Sequence, residues 1–222
     1  MNWQALALSA KLAALASAFL LVIGLPTAYW ITYSRWRWKF LAEAVVALPL
    51  VLPPTVLGYY VLVATAPHTV VGRAYQSLFG KTLPFTFEGL LLASILYSLP
   101  FSVQPFASGF ASVPYKLIQA SAVLGAGRLR TFFRVILPLS MGSVLTGVVL
   151  SFAHTLGEFG VVLMVGGNIP GVTHTISIDI YDKTQALDFP RANQTALALL
   201  VISFVTLSLV YSLNKKNLTI ES

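Results

Sequence analysis

Residues Gln119 to Pro138 read QASAVLGAGRLRTFFRVILP, a stretch in which Arg128, Arg130 and Arg134 follow a cluster of alanines and glycines. In a chain with only 9% charged residues, three arginines so close together are conspicuous. Each charge placed in hydrocarbon costs about 2.5 kcal/mol or more, so this segment does not cross a bilayer. It reads instead as an amphipathic element lying across a membrane surface. Ala120, Ser121, Ala122, Gly125, Ala126 and Gly127 leave it a face without bulk, on which another backbone can come close. The glycines at 125 and 127 predict a short helix, a bend and a second helical run. Pro138 is expected in the first turns of the span that follows.

On either side the chain is strongly apolar. Hydrophobic residues make up 57% of the 222, above the roughly 45–50% usual for soluble domains. They fall into runs of about 20 or more, long enough to cross roughly 30 Å of hydrocarbon. Five spans are predicted, at about 5–33, 41–66, 88–112, 135–157 and 192–213. The fold class is therefore all-α: a polytopic membrane helical bundle of about five transmembrane helices, one transmembrane domain over residues 1–222. With no cysteine, neither a disulfide framework nor a thiol-ligated metal is possible. The net charge of +7 is what cationic loops give a membrane protein, and no nucleic-acid partner is expected. No positive n-region precedes the first apolar run, which reads as a retained span.

Orientation follows from the cations. With the quoted loop inside, Arg35, Arg37, Lys39, Lys116, Arg128, Arg130, Arg134, Lys215 and Lys216 are all inside, and Arg73, Lys81, Lys183 and Arg191 are outside. The positive-inside rule then puts the N-terminus outside and the C-terminus in the cytoplasm. Lys11, near the outer end of span 1, is expected to snorkel to the interface. Trp30, Trp36 and Trp38 read as interfacial anchors at the inner end.

Two spans carry prolines near their middles: Pro49, Pro53 and Pro54 in LPLVLPPTVLGYY, and Pro100 and Pro105 in LPFSVQPFASGF. Each proline removes a backbone donor, so both spans are predicted to be interrupted, with Thr55, Ser98, Ser102, Gln104 and Ser108 available to satisfy the freed groups. These five residues are the candidates for a central translocation pathway. The alternative, a bundle packed through kinks with hydroxyls bonded back to their own helices, stays open.

His154 and Glu158 in HTLGEFG are one helical turn apart, a spacing at which they can share a face and form a hydrogen bond or proton relay. An outer-gate or structural pair is expected in preference to substrate contact, because a carboxylate repels a dianion. A metal site is not expected, because His68 and His174 lack complementary spacing. The turn GGNIPG opens an outer segment in which Ile176, Ile178, Ile180 and Tyr181 alternate with polar neighbours, predicting a short surface element. Asp179, Asp182, Lys183, Asp188 and Arg191 are expected to face solvent. GKT at 80–82 is not a phosphate loop, since Tyr75 stands where that motif needs glycine.

The order of residues in the opening stretch adds a resemblance. QAS, then Gly125 after three residues, then nine residues and VILP, is similar to the "EAA" loop of ABC-importer permeases. Ala120, Gly125, Leu137 and Pro138 match, while Gln119, Ser121 and Val135 depart from the pattern. With the acid at 119 goes the basis for any salt bridge that the family makes there. LPLVLPPTVLGYY, HTLGEFGVVLMVGGNIPG and the order of spans extend the likeness over about residues 3–213, to the permeases of the molybdate, tungstate and sulfate branch, molybdate foremost.

That resemblance implies a cytoplasmic coupling helix within about 115–134 that docks on a separate ATPase through Gln119, Ala120, Ser121, Leu124, Gly125, Gly127, Arg128 and Arg130. It further implies a homodimer in the inner membrane, two ATP-hydrolysing subunits, and an extracytoplasmic binding protein that delivers the oxyanion. No cofactor would sit in this chain, with ATP and magnesium held by the partner ATPase. Sulfate or tungstate import is the alternative within the branch. An ion-coupled secondary carrier is the alternative from another class, set against the lack of an internal repeat or of a mid-membrane acid pair. An intramembrane enzyme is disfavoured by the lack of HExxH, GxSxG or paired carboxylates.

Overall fold

The structure is a computed structural model that describes residues 1–218, with side chains through residue 208; Lys215 and Lys216, counted above among the inner cations, lie outside the described side chains. Among the described residues there is no strand, and eleven helices make up the all-α fold, of which the short α4 (Val70–Phe79) lies in the connection between the second and third spans.

Three helices are long and apolar enough to span a bilayer: α1 (Trp3–Tyr33), α5 (Phe87–Ser112), and residues Phe189–Ser208 of α11 (Phe189–Leu218). Two further spans are bent pairs. The first joins α2 (Lys39–Val51) to α3 (Pro54–Ala64) at 115°, and the second joins α7 (Arg128–Leu139) to α8 (Met141–Gly157) at 76°. Five spans are therefore present when each bent pair counts as one.

The first bend follows from the adjacent prolines. Pro53 forces Leu52 into extended backbone, with ψ of 137°, and Pro54 then starts α3, where its missing N–H is no loss. The expected interruption of the third span does not occur, since α5 is continuous through Pro100 and Pro105. Isolated prolines each delete one bond while the turns around them keep theirs, and α5 is gripped by α1 and α8. The second bend falls where the sequence predicted a plain continuation. Ser140 turns its hydroxyl back to the Ile136 carbonyl at 2.6 Å, and a π-turn over Phe132–Ile136 precedes it. Pro138 lies within this bent span, near the end of α7 and two residues before the bend.

The core of the bundle is the triple contact of α1, α5 and α8. α1 offers small buried residues, Ser9, Ala13, Ala16, Ser17, Gly24 and Ala28, so that its neighbours approach closely. Phe106 of α5 is fully buried between Gly24 of α1 and Gly147 of α8. A Cβ on Gly147 would stand 2.6 Å from the Phe106 ring. Glycine at 147 is thus the condition for this crossing.

At the end remote from the arginines, α3 packs against α9 (Gly160–Gly166), burying Leu57, Val61, Val161 and Val165 with Ala93 of α5. There, too, α10 (Ile176–Gln185) lies against α1 and α11, with the Ile176 amide donating to Ser9 Oγ at 2.8 Å. This segment is a helix and not the alternating surface element read from the sequence. Ile176 and Ile178 are buried, and so is Asp179, which was expected in solvent. Asp179 accepts from Lys183, whose ammonium also reaches Thr195 Oγ1 at 3.0 Å, tying α10 to α11. The half-buried Lys183 ammonium thus pairs the charge that α10 turns inward, and is itself held by buried Thr195. Lys11 places its ammonium 4.7 Å above the Phe87 ring, and Trp30 and Trp36 sit 5.7 Å apart at the basic end.

Candidate coupling surface and translocation site

The opening stretch folds as a helix, a tight turn and a second helix. α6 (Tyr115–Val123) closes through two bonds, Ala126 N–H to the Ser121 carbonyl and Gly125 N–H to the Ala122 carbonyl, with Gly125 at φ +76°. These are the two bonds of a Schellman cap, and the left-handed residue in it is Gly125. Gly127, by contrast, has ordinary extended backbone as the N-cap of α7. Neither glycine has an atom within 4 Å of a would-be Cβ. Gly125 is therefore demanded by backbone conformation and Gly127 is not.

No residue of α6 is buried, and Val123 and Leu124 are 87% and 85% exposed. The helix is held by its entry at buried Val113, by Ile118 against the core, and by a hydrogen bond between the Ser121 and Thr131 hydroxyls at 2.8 Å. Between α6 and α7 lies a concavity of about 570 Å³ lined by Leu117, Ala120, Ser121 and Leu124 on one side and Arg130, Arg134 and Pro138 on the other. It has an apolar floor and a cationic rim. Gln119, Gly125 and Gly127 are exposed beside it, and Arg128 projects from the opposite side of α7, where it lines other concavities.

A second site lies beside α8. A cavity of about 410 Å³ is lined by Pro54, Thr55, Tyr97, His154, Gly157, Glu158, Phe159 and Gly160. The breaks after α2 and α8 build it, since each removes a turn of helix that would otherwise fill the space. His154 Nδ1 is 2.9 Å from Ser98 Oγ, which is also 2.9 Å from Thr155 Oγ1. Phe101 stacks on the imidazole at 4.0 Å between ring centres. The expected contact between His154 and Glu158 is absent, because α8 ends at Gly157 and Glu158 adopts extended backbone. Both residues line the cavity, on diverging backbone. Glu158 is 5% exposed, and neither carboxylate oxygen has a hydrogen-bond partner of good geometry; the Ser94 hydroxyl, also unpartnered, lies beside it.

The five pathway candidates divide. Thr55 lines the cavity, at the N-terminus of α3, while Gln104 and Ser108 lie on the open face of α5. Ser98 and Ser102 are buried, Ser98 joining α5 to α8 and Ser102 bonding back to the Leu99 carbonyl. Tyr97 and Phe101 were missed by the sequence reading. The steps from 97 to 101, 104 and 108 are four, three and four, which is one helical stripe, and that spacing could have found them.

An exposed basic hairpin beneath a bundle of bent and straight spans defines a class: a polytopic membrane protein. The solved structures agree on the fold. A bacterial ABC transporter that imports the acidic polysaccharide alginate aligns with a TM-score of 0.77 at 17% identity, covering 96% of this chain and 78% of that one. The inward-facing MetNI methionine ABC transporter aligns at 0.76 and 14% identity, covering 96% and 94%. Residues 21–218 match the family described as the binding-protein-dependent transport system inner membrane component. The chain belongs to that family and is a multi-pass membrane permease subunit. It is 47% identical over 208 residues to the molybdenum transport system permease protein ModB of Azotobacter vinelandii, covering 94% of this chain and 92% of that protein. With the protein of the same name from Escherichia coli K12 it shares 39% over 202 residues, covering 91% and 87%.

Proposed function

We propose that this chain is the membrane subunit of an ABC importer that carries molybdate inward, working as a homodimer with two ATPase subunits and an extracytoplasmic binding protein. The observation that carries the reading is the α6–α7 hairpin. An amphipathic helix with no buried residue, fixed in angle by a Schellman turn and backed by a cation-rimmed concavity, has the form of a lever held ready for another protein's groove. Gln119, Ala120, Ser121, Leu124 and Gly125 would enter that groove, with Arg130 at its rim. The names of the relatives support molybdate as cargo, and sulfate and tungstate are its chemical neighbours.

Closure of the ATPase dimer would draw the two hairpins together and tilt α7 and α8 about the bend at Ser140. That motion reaches the far cavity through α8 itself, which ends in His154, Gly157 and Glu158. A tetrahedral dianion passing there would meet the Thr55 hydroxyl near the positive end of α3, together with Tyr97. Such neutral donors bind weakly enough to release. Glu158, a buried carboxyl without a hydrogen-bond partner beside the helix break, acts as part of the gate and not as a ligand. The hairpin end faces the cytoplasm, and α10 with its loop faces the binding protein.

Reconstitution tests this. Proteoliposomes that hold the chain with its ATPase should accumulate molybdate only when binding protein is outside and ATP inside, and excess tungstate or sulfate reports selectivity. Uptake by the lone chain along an ion gradient, without ATP, would replace this reading by the secondary carrier.

A further inference from the structure

Two concavities meet at the basic end of α1, and they differ in character. One, of about 480 Å³, is a groove between α1 and α7 walled by Leu21, Val22, Leu25, Leu129, Phe132 and Phe133. The other, of about 830 Å³, is lined at its polar side by Tyr33, Ser34, Arg35, Tyr115, Arg128 and Thr131. Tyr29 and Arg128 belong to both and mark the border between them. Neither concavity is lined by an acidic residue, and Arg128 and Arg35 are in no ion pair among the described residues.

The sequence order along α1 gives this pair a direction. Leu21, Val22, Leu25 and Tyr29 descend two turns, roughly 12 Å, from the apolar part of the span to Trp30 and the end of the helix at Tyr33. Half-exposed Trp30 and Trp36 mark the interfacial depth, and Arg35 follows directly. Apolar wall, aromatic border and unpaired cations thus succeed one another as acyl chain, glycerol region and phosphate do in a bilayer leaflet. Val22, Leu129 and Phe133, at 71%, 76% and 61% exposed, are the groove's open edge. On α7, Arg130 and Arg134 turn to the hairpin concavity while Arg128 turns to α1, so the two sites do not compete for one side chain.

We propose that this groove holds one anionic phospholipid of the leaflet at the basic end, with an acyl chain between α1 and α7 and the phosphate between Arg128 and Arg35. Such a lipid would brace α7, the helix that joins the hairpin to the spans, and so tie the lever to membrane composition.

The experiment is native mass spectrometry of the full chain in detergent, titrated with phosphatidylglycerol or with phosphatidylcholine of the same acyl chains. Phosphatidylglycerol should be retained in preference. Arg128→Gln should lower its retention about fivefold, the effect of one cation near an anionic lipid surface, and Arg128→Lys should restore most of it. Val22→Trp, at the exposed edge, should reduce retention of both lipids. Arg37→Gln, a cation of the same end that lines neither concavity, should change nothing. Equal retention of the two lipids overturns the proposal, as does an Arg37→Gln loss equal to that of Arg128→Gln. It also fails if a photo-crosslinker at Phe133 labels the ATPase in the assembled complex in place of lipid.

Discussion

Gly125 and Gly127 look alike in the sequence and differ in what the backbone asks of them. A Cβ at 125 meets no atom but is held at φ +76°, which costs about 1–2 kcal/mol for an L-residue, whereas 127 is ordinary extended chain. Gly125→Ala should therefore reset the angle between α6 and α7 and uncouple transport-stimulated ATP hydrolysis, while Gly127→Ala stays near wild type; the ATPase rate of the reconstituted complex separates the two. Gly147 is restricted by space and not by conformation. Gly147→Val drives methyl groups into the Phe106 ring, at an overpacking cost of about 1–3 kcal/mol, and should lower the thermal midpoint of the purified subunit. Glu158→Gln keeps the shape of a buried, unpartnered group and replaces a carboxyl that can ionise by an amide that cannot. Molybdate transport should fall while assembly with the ATPase and the affinity of the isolated binding protein for oxyanion are unchanged; intact transport would remove Glu158 from the gate.

Among the elements, the two breaks do the most to shape the molecule, and only one was legible in the sequence. Two adjacent prolines announce the bend between α2 and α3, because Pro53 disfavours helical backbone at residue 52 and Pro54 begins a helix well. The bend at Ser140 carries no such mark, arising from a hydroxyl turned back on its own helix and from the seat α7 finds against α1 and α6. α5 teaches the converse, since its two prolines were over-read. They sit in a helix that α1 and α8 hold straight. Replacing Pro53 and Pro54 together by alanine should straighten the α2–α3 pair and withdraw Thr55 from its cavity. In a Thr55→Cys background, the thiol would then lose most of its reactivity toward a small polar reagent.

At the scale of the whole molecule, topology and assembly are the matters to test. The chain has no cysteine, so single-cysteine probes report one position each. Leu124→Cys should react only with reagent on the cytoplasmic side and become protected when the ATPase binds, and Gln185→Cys should react only from the opposite side. The reverse pattern would invert the orientation argued from the cations. The span between Phe189 and Ser208 is the least buried of the three straight ones, which leaves it a wide face for lipid or for a second copy.

By itself the sequence determined the class of molecule: apolar runs set the spans, arginines the basic end, and the spacing of small residues and Gly125 the hairpin. These are local properties, dictated by the solvation of each side chain and by the dihedral limits of each residue. Only the tertiary structure decided which of the pathway serines are buried ties, that His154 and Glu158 part company at a helix end, and that Asp179 turns inward to Lys183. Those outcomes depend on which helices meet, and a contact between residues distant in the chain leaves no periodic trace in either partner.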